Sequence, residues 1–262
     1  TFSLFIPKSS GATEIIFTVL LDCVMKGELS EAERLLHRAL HLAHQADNRR
    51  AIIYTYSTMA NVAFMQGQLD NVSRDGSCWF CFWRALAGFE FCILTLEEKI
   101  AKQKDLPEDV LSAEEKANTR LLLGMSLDSY ARYLQDINQL PVAQKMYEKA
   151  LQISSDVQGE THPQTVVLMN DLATVLDAQG HYDEAYSRVK RAAELAKVTQ
   201  HPEEHMVLNN LAAILMHKKD YLQAKQVYKE ALKQAEQKGD ADSVRHIQEE
   251  LAELAKRRKG SK

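Results

Sequence analysis

From residue 28 onward the apolar positions recur at steps of three and four with polar residues between them. That spacing puts side chains on one face of an α-helix. Within it one phrase keeps returning: Lys26-Gly-Glu-Leu-Ser-Glu-Ala32, Gln66-Gly-Gln-Leu-Asp-Asn-Val72, Gln179-Gly-His-Tyr-Asp-Glu-Ala185 and Lys218-Lys-Asp-Tyr-Leu-Gln-Ala224, with a weaker form at Asp136–Ala143. Each is a turn, then a bulky residue, then a small one three places later. Four copies continue with a larger residue four on and alanine seven on: Ala32/Leu36/Ala39, Ala143/Tyr147/Ala150, Ala185/Val189/Ala192 and Ala224/Tyr228/Ala231. Before the turns lie partner helices with their own fixed face: Met59-Ala60-Ala63, Leu123-Gly124-Leu127, Leu172-Ala173-Leu176 and Leu211-Ala212-Leu215.

The predicted unit is therefore helix, short turn, helix, with small residues where the two helices cross. This resembles the tetratricopeptide repeat. The step between copies is 40, 42 and 39 residues, longer than the minimal unit of about 34. The extra residues sit in Gln158–Gln164 and Val198–Glu203, each carrying a His-Pro pair. Pro163 and Pro202 are expected at the first helical position, where a missing N–H costs nothing, with Thr161 or His162 as a cap. Repeats of this length and punctuation are similar to those of kinesin light chains. The expected fold is all-α: a right-handed superhelical solenoid of antiparallel helix pairs.

One stretch does not fit. Ser73–Arg84 holds Cys78-x-x-Cys81 and four aromatics, both tryptophans among them. Only 13 residues separate Val72 from Ala85, where the face Ala85/Phe89/Cys92 already reads as a second helix. One repeat is thus expected to be incomplete around 73–84, with the segment an irregular insert. A thioredoxin-like redox pair would need a βαβ setting, and neither flank has strand periodicity. A zinc site would need further ligands at finger spacing, and only His37, His41 and His44 are near in sequence. The remaining reading is a splice variant, a gene-model artefact or a lineage-specific replacement.

Composition supports helices. Only 10 Gly and 5 Pro occur in 262 residues, and good helix formers dominate. A net charge of −4 carries no basic stripe of the kind that nucleic acid attracts. The cluster Lys256–Lys259 reads as the cationic end of a helix followed by a basic tail. Four cysteines without a regular interval fit a reducing compartment better than a disulfide framework. The chain opens on Thr and is read as a fragment or processed form, so any targeting segment would lie upstream of it. The apolar run Glu14–Asp22 is far short of a membrane span. No phosphate loop, Gly-x-Ser-x-Gly or His-Glu-x-x-His occurs. His37, His41 and His44 read as a solvated face, and Glu97-Glu98, Glu114-Glu115 and Glu249-Glu250 as exposed neighbours. No catalytic residue, metal or cofactor is expected.

In tetratricopeptide geometry the first helices line a concave groove. Counting from the Leu-Gly pair gives Tyr54, Ser57 and Asn61; Asn118, Leu121 and Met125; Val167, Asn170 and Thr174; and Met206, Asn209 and Ala213. The candidate peptide-contacting residues are Tyr54, Asn61, Asn118, Asn170, Thr174, Met206 and Asn209. An asparagine amide offers both donor and acceptor to an extended peptide; the alternative is that these amides bond their own repeat neighbours. None of the twelve is Lys or Arg, unlike the carboxylate clamp of chaperone-binding repeats.

Beyond the repeat, Glu33–His37, Ala51–Tyr56, Met59–Leu69, Phe89–Ile100, Met146–Ser154 and Ala178–Tyr186 resemble a mitochondrial family of tetratricopeptide proteins. The likeness covers about residues 22–72 and 85–258 and departs at 1–21 and 73–84. It implies a mitochondrial inner-membrane factor of the respiratory chain that supports complex III assembly and turnover around the Rieske subunit, binding protein partners without catalysis. A role in cytokinesis has also been attached to the family. A cytosolic adaptor for cargo or cytoskeletal proteins is the alternative. The expected layout is an irregular segment with a short apolar helix at 1–21, first repeat helices at 22–72, the insert at 73–84, the array with a capping helix at 85–258, and a tail at 259–262.

Overall fold

The structure is a computed structural model. It describes residues 77–260 throughout and, before them, residues 28–45 and positions 23, 26, 51–52, 55–56, 58–59 and 62. In chain order the helices are α1 Leu29–Gln45, α2 Ser77–Gln103, α3 Ala113–Asp136, α4 Leu140–Gln158, α5 Pro163–Ala178, α6 Tyr182–Val198, α7 Glu204–His217, α8 Tyr221–Lys238 and α9 Ala241–Gly260. No strand occurs among the described residues. Contacts divide the chain into two compact units, Thr1–Tyr133 and Leu134–Lys262.

In the second unit each helix packs on the next in order from α4 to α9, and α7 also touches α5 and α9. Contacts confined to near neighbours are what stacked helix pairs produce. The small-large-small faces predicted from sequence are the crossing points. Ala143, Ala150, Ala185, Val189, Ala192, Ala224, Tyr228 and Ala231 are all completely buried. Opposite them lie Leu172, Ala173, Leu176, Ala212 and Leu215. Alanine there admits a neighbouring helix axis at close range, while burial of each leucine contributes about 1.5–3 kcal/mol.

The turns within the pairs share one device. Asn138, Gly180 and Lys219 hold left-handed backbone at φ 61°, 82° and 62°. The next residue's N–H then reaches back five positions: Gln139 to the Leu134 carbonyl (2.7 Å), His181 to Leu176 (2.9 Å) and Asp220 to Leu215 (2.9 Å). This closes the open carbonyls of the helix end. Glycine takes the conformation without strain at position 180 only. At Asn138 and Lys219 the recurrent geometry is imposed on a residue with a Cβ.

Helix starts follow local chemistry. The His162 ring accepts the Gln164 N–H at its Nδ1 (3.2 Å), with Pro163 as first residue of α5. The second proline does not repeat this, for α7 begins at Glu204 and Pro202 lies ahead of it. His201 Nδ1 instead accepts the Glu203 N–H (3.0 Å). At α8, Asp220 accepts the Gln223 N–H (3.1 Å).

In the first unit, the α1 face Leu29/Ala32/Leu35/Leu36 packs with Cys23 and Val62, with Met59 and Leu122 at the margin. Phe89 and Cys92 of α2 are buried as expected, with Leu96 one turn further. Phe89 stands 5.6 Å from the Tyr130 ring and 5.8 Å from that of Tyr133. Two boundaries differ from the sequence reading. Helix α2 starts at Ser77, within the stretch read as irregular, because residues 77–84 contain no Gly or Pro to stop it. Helix α9 continues to Gly260, beyond the expected tail boundary at 259. Segment 1–21 lies outside the described residues.

Candidate functional site

The first helices of the second unit present a polar seam. From α7, Asn210 Nδ2 donates to Asn170 Oδ1 on α5 (3.0 Å). Asn170 is itself buried, and its Nδ2 donates to Asp171 Oδ1 (3.3 Å). One turn on, the Thr174 hydroxyl donates to the Asp171 carbonyl (2.7 Å) and meets Gln135 Nε2 at 3.5 Å. Gln135 Oε1 accepts from the Tyr147 hydroxyl (3.3 Å), and Gln179 Nε2 donates to Gln144 Oε1 (2.9 Å). At the helix ends His217 Nδ1 lies 2.8 Å from Asp177 Oδ1.

Electrostatics sharpen at the last helix. Buried Tyr228 on α8 donates to Glu250 Oε2 on α9 (3.2 Å). Burial first, then the Glu250 carboxylate, pushes the phenol above its ordinary range. Glu250 is thus half-buried rather than on an exposed side, because its helix caps the array. Nearby, Asp240 accepts Ser243 N–H (3.1 Å) and Ser243 Oγ–H (2.7 Å) and meets His205 Nε2 at 3.1 Å. These bonds, Ser243 foremost, pull its carboxyl down to about 2.

The sequence-derived groove set is placed unevenly. Asn170 is spent on its neighbours, which fulfils the alternative for that residue. Thr174 is half-buried and bonded. Met206 is 48 % exposed. Asn209 is half-buried, and its Oδ1 is a buried oxygen without a hydrogen-bond partner. Asn118 lies half-buried on α3 in the first unit. Tyr54 and Asn61 lie outside the described residues. The count from Leu211-Ala212 picked Asn209 and passed over its neighbour Asn210, which makes the bond across repeats. Asp177–His217 and Tyr228–Glu250 were missed too. Only a recurrence of polar residues at the same repeat positions pointed to them.

The remaining candidates place plainly. His37 is exposed beside Glu33 (3.7 Å) and His41 beside Gln45 (3.0 Å); the His44 side chain lies outside the described residues. Cys78 and Cys81 belong by backbone to the first turns of α2, and their side chains lie outside the described residues. Cys92 is fully buried, and burial pushes its thiol up to about 12. Among the described residues no three His, Cys, Asp or Glu side chains are grouped to hold a metal ion, and no helix is long and apolar enough to cross a membrane.

Stacked helix pairs around a polar inner seam define a tetratricopeptide scaffold of the protein-binding class. The tetratricopeptide repeat family model matches residues 117–197. Among solved structures, the apo form of RapI superposes with a TM-score of 0.65 at 13 % identity, over 94 % of this chain and 84 % of that one. BtubC from P. vanneervenii gives 0.58 at 16 % identity, over 90 % and 92 %. These likenesses concern the fold alone. Sequence goes further. Mitochondrial tetratricopeptide repeat protein 19 of Homo sapiens is 53 % identical over 89 % of this chain and 70 % of its own length, and that of Rattus norvegicus is 52 % identical over 89 % and 72 %. The chain belongs to the tetratricopeptide repeat protein 19 family.

Proposed function

We propose that this chain is a mitochondrial scaffold, acting at the inner membrane, that binds complex III subunits during assembly and turnover, the Rieske iron–sulfur protein among them. The observation that carries the reading is the 53 % identity to the human mitochondrial relative across most of the chain. The seam suits the task. Met206, 48 % exposed, offers an apolar contact, while the Asn209 Oδ1 is a buried acceptor. A partner segment docking there would cover the Met206 side chain.

The test is capture with the full chain as bait, from detergent-solubilised mitochondria and in parallel from cytosol. Enrichment of complex III subunits from mitochondria, reduced by Met206→Ala, is the expected result. A specific cytosolic partner without complex III subunits would overturn the reading in favour of a cytosolic adaptor.

A further inference from the structure

The second helices carry a feature that the groove does not use. Ala224, Tyr228, Ala231 and Ala235 bury one side of α8. By helical spacing Leu222, Lys225, Lys229 and Lys233 share the opposite side. Lys229 and Lys233 are exposed, Lys225 is half-exposed, and Leu222 is 65 % exposed. None of these three lysines has a hydrogen-bond or ion-pair partner among the described residues, whereas the nearest acid on the helix, Glu230, is engaged by Lys197 at 3.7 Å. Glu236 follows one turn beyond Lys233. On α6, Lys190 lies 5.9 Å from the Tyr186 ring centroid, and Lys218 lies 5.3 Å from it while pairing with Asp183. A chain of net charge −4 thus concentrates unpaired ammonium groups on one outward helix face.

We propose that this face of α8 docks on an anionic phospholipid bilayer. Charge complementarity selects an anionic partner, since the three lysines on this side outnumber its one exposed carboxylate, Glu236, and each adds attraction near such a surface. The form of the face selects a bilayer. Its ammonium groups stand one helical turn apart on long flexible stems, and mobile lipid phosphates follow such a row without a shape match. The exposed Leu222 suits the headgroup boundary. An acidic protein would instead have to cover Leu222 and fix three lysine side chains, at an entropic cost for each.

Sedimentation of the full chain with vesicles decides it. Vesicles of phosphatidylcholine alone are compared with vesicles containing phosphatidylglycerol. Binding is expected only with the anionic lipid, and it falls as salt rises. The triple change Lys225→Gln, Lys229→Gln, Lys233→Gln should lower partitioning at least ~10-fold. The triple change to Arg keeps the charge and should keep binding, which separates docking from any folding defect. Equal binding to both vesicles, or an unchanged triple Gln variant, would overturn the proposal. So would capture by polyglutamate without binding to anionic vesicles, which would point to an acidic protein instead.

Discussion

Asn210 and Asn170 are joined by a 3.0 Å hydrogen bond although 40 residues separate them in sequence. The bond ties the first helix of one repeat to the first helix of the one before. Asn170 is buried, so losing the bond also leaves a polar group without its partner. Asn170→Ala is expected to cost about 1–2 kcal/mol, read as a lower denaturant midpoint. Asn209→Ala, which removes an oxygen that has no partner, should leave stability nearly unchanged. A double-mutant cycle over Asn170 and Asn210 should give a coupling of about 0.5–1.5 kcal/mol. Strict additivity would mean that the seam is not a load path between repeats.

The alanines at the helix crossings set how closely helices approach. Ala192 has no exposed surface, and its face meets the neighbouring first helix. Ala192→Leu adds three carbons where no room exists, at a cost of roughly 1–3 kcal/mol or more. Lys190→Leu, two residues away on the exposed side of the same helix, should change stability by less than about 0.5 kcal/mol. Calorimetric midpoints for the two variants test the assignment of faces.

Acid should loosen the last helix. The Asp240 carboxyl lies at about 2 in the folded chain against an ordinary 3.8. A depressed carboxyl contributes stability that is full above about pH 4 and is lost as pH falls toward about 2. Thermal midpoints measured across that window should therefore drop. Asp240→Asn should flatten the drop, because the side chain no longer titrates. An unchanged slope in this variant would assign acid sensitivity to other carboxylates.

The repeat was legible because packing at a helix crossing admits few residue types, and Ala143, Ala185 and Ala224 announce it at each copy. Pro163 with His162 was legible for the same reason: helix starts have narrow chemistry. The start of α2 at Ser77 was not, since a break in repeat register looks like a break in structure. Cys78-Trp-Phe-Cys81 nevertheless holds nothing that opposes a helix. The seam was half legible. Counting along one helix found Asn170, but the bond to Asn210 depends on the rotation of two helices about each other, which no single repeat encodes. Glu250 was misread because it was judged as a neighbour of Glu249, while its partner Tyr228 belongs to the preceding helix.

Alkali should unfold the chain from its tyrosines. Burial first, and then Glu90, pushes Tyr130 up to about 12, and burial with Glu250 raises Tyr228 as well. A phenol whose folded value is raised stabilises fully below about pH 10, where both states hold the proton. Above that the unfolded chain ionises first, so stability falls as pH rises toward the folded value. Absorbance titration near 295 nm should show exposed tyrosines ionising first, and then a late, cooperative step that coincides with loss of helical circular dichroism. In Tyr228→Phe the late step should lose one tyrosine's amplitude and shift to higher pH. At neutral pH the variant should be weaker by about 1 kcal/mol, because Glu250 loses its donor. A single smooth titration of all tyrosines near pH 10, with helicity intact, would mean that neither ring is shielded as the fold requires.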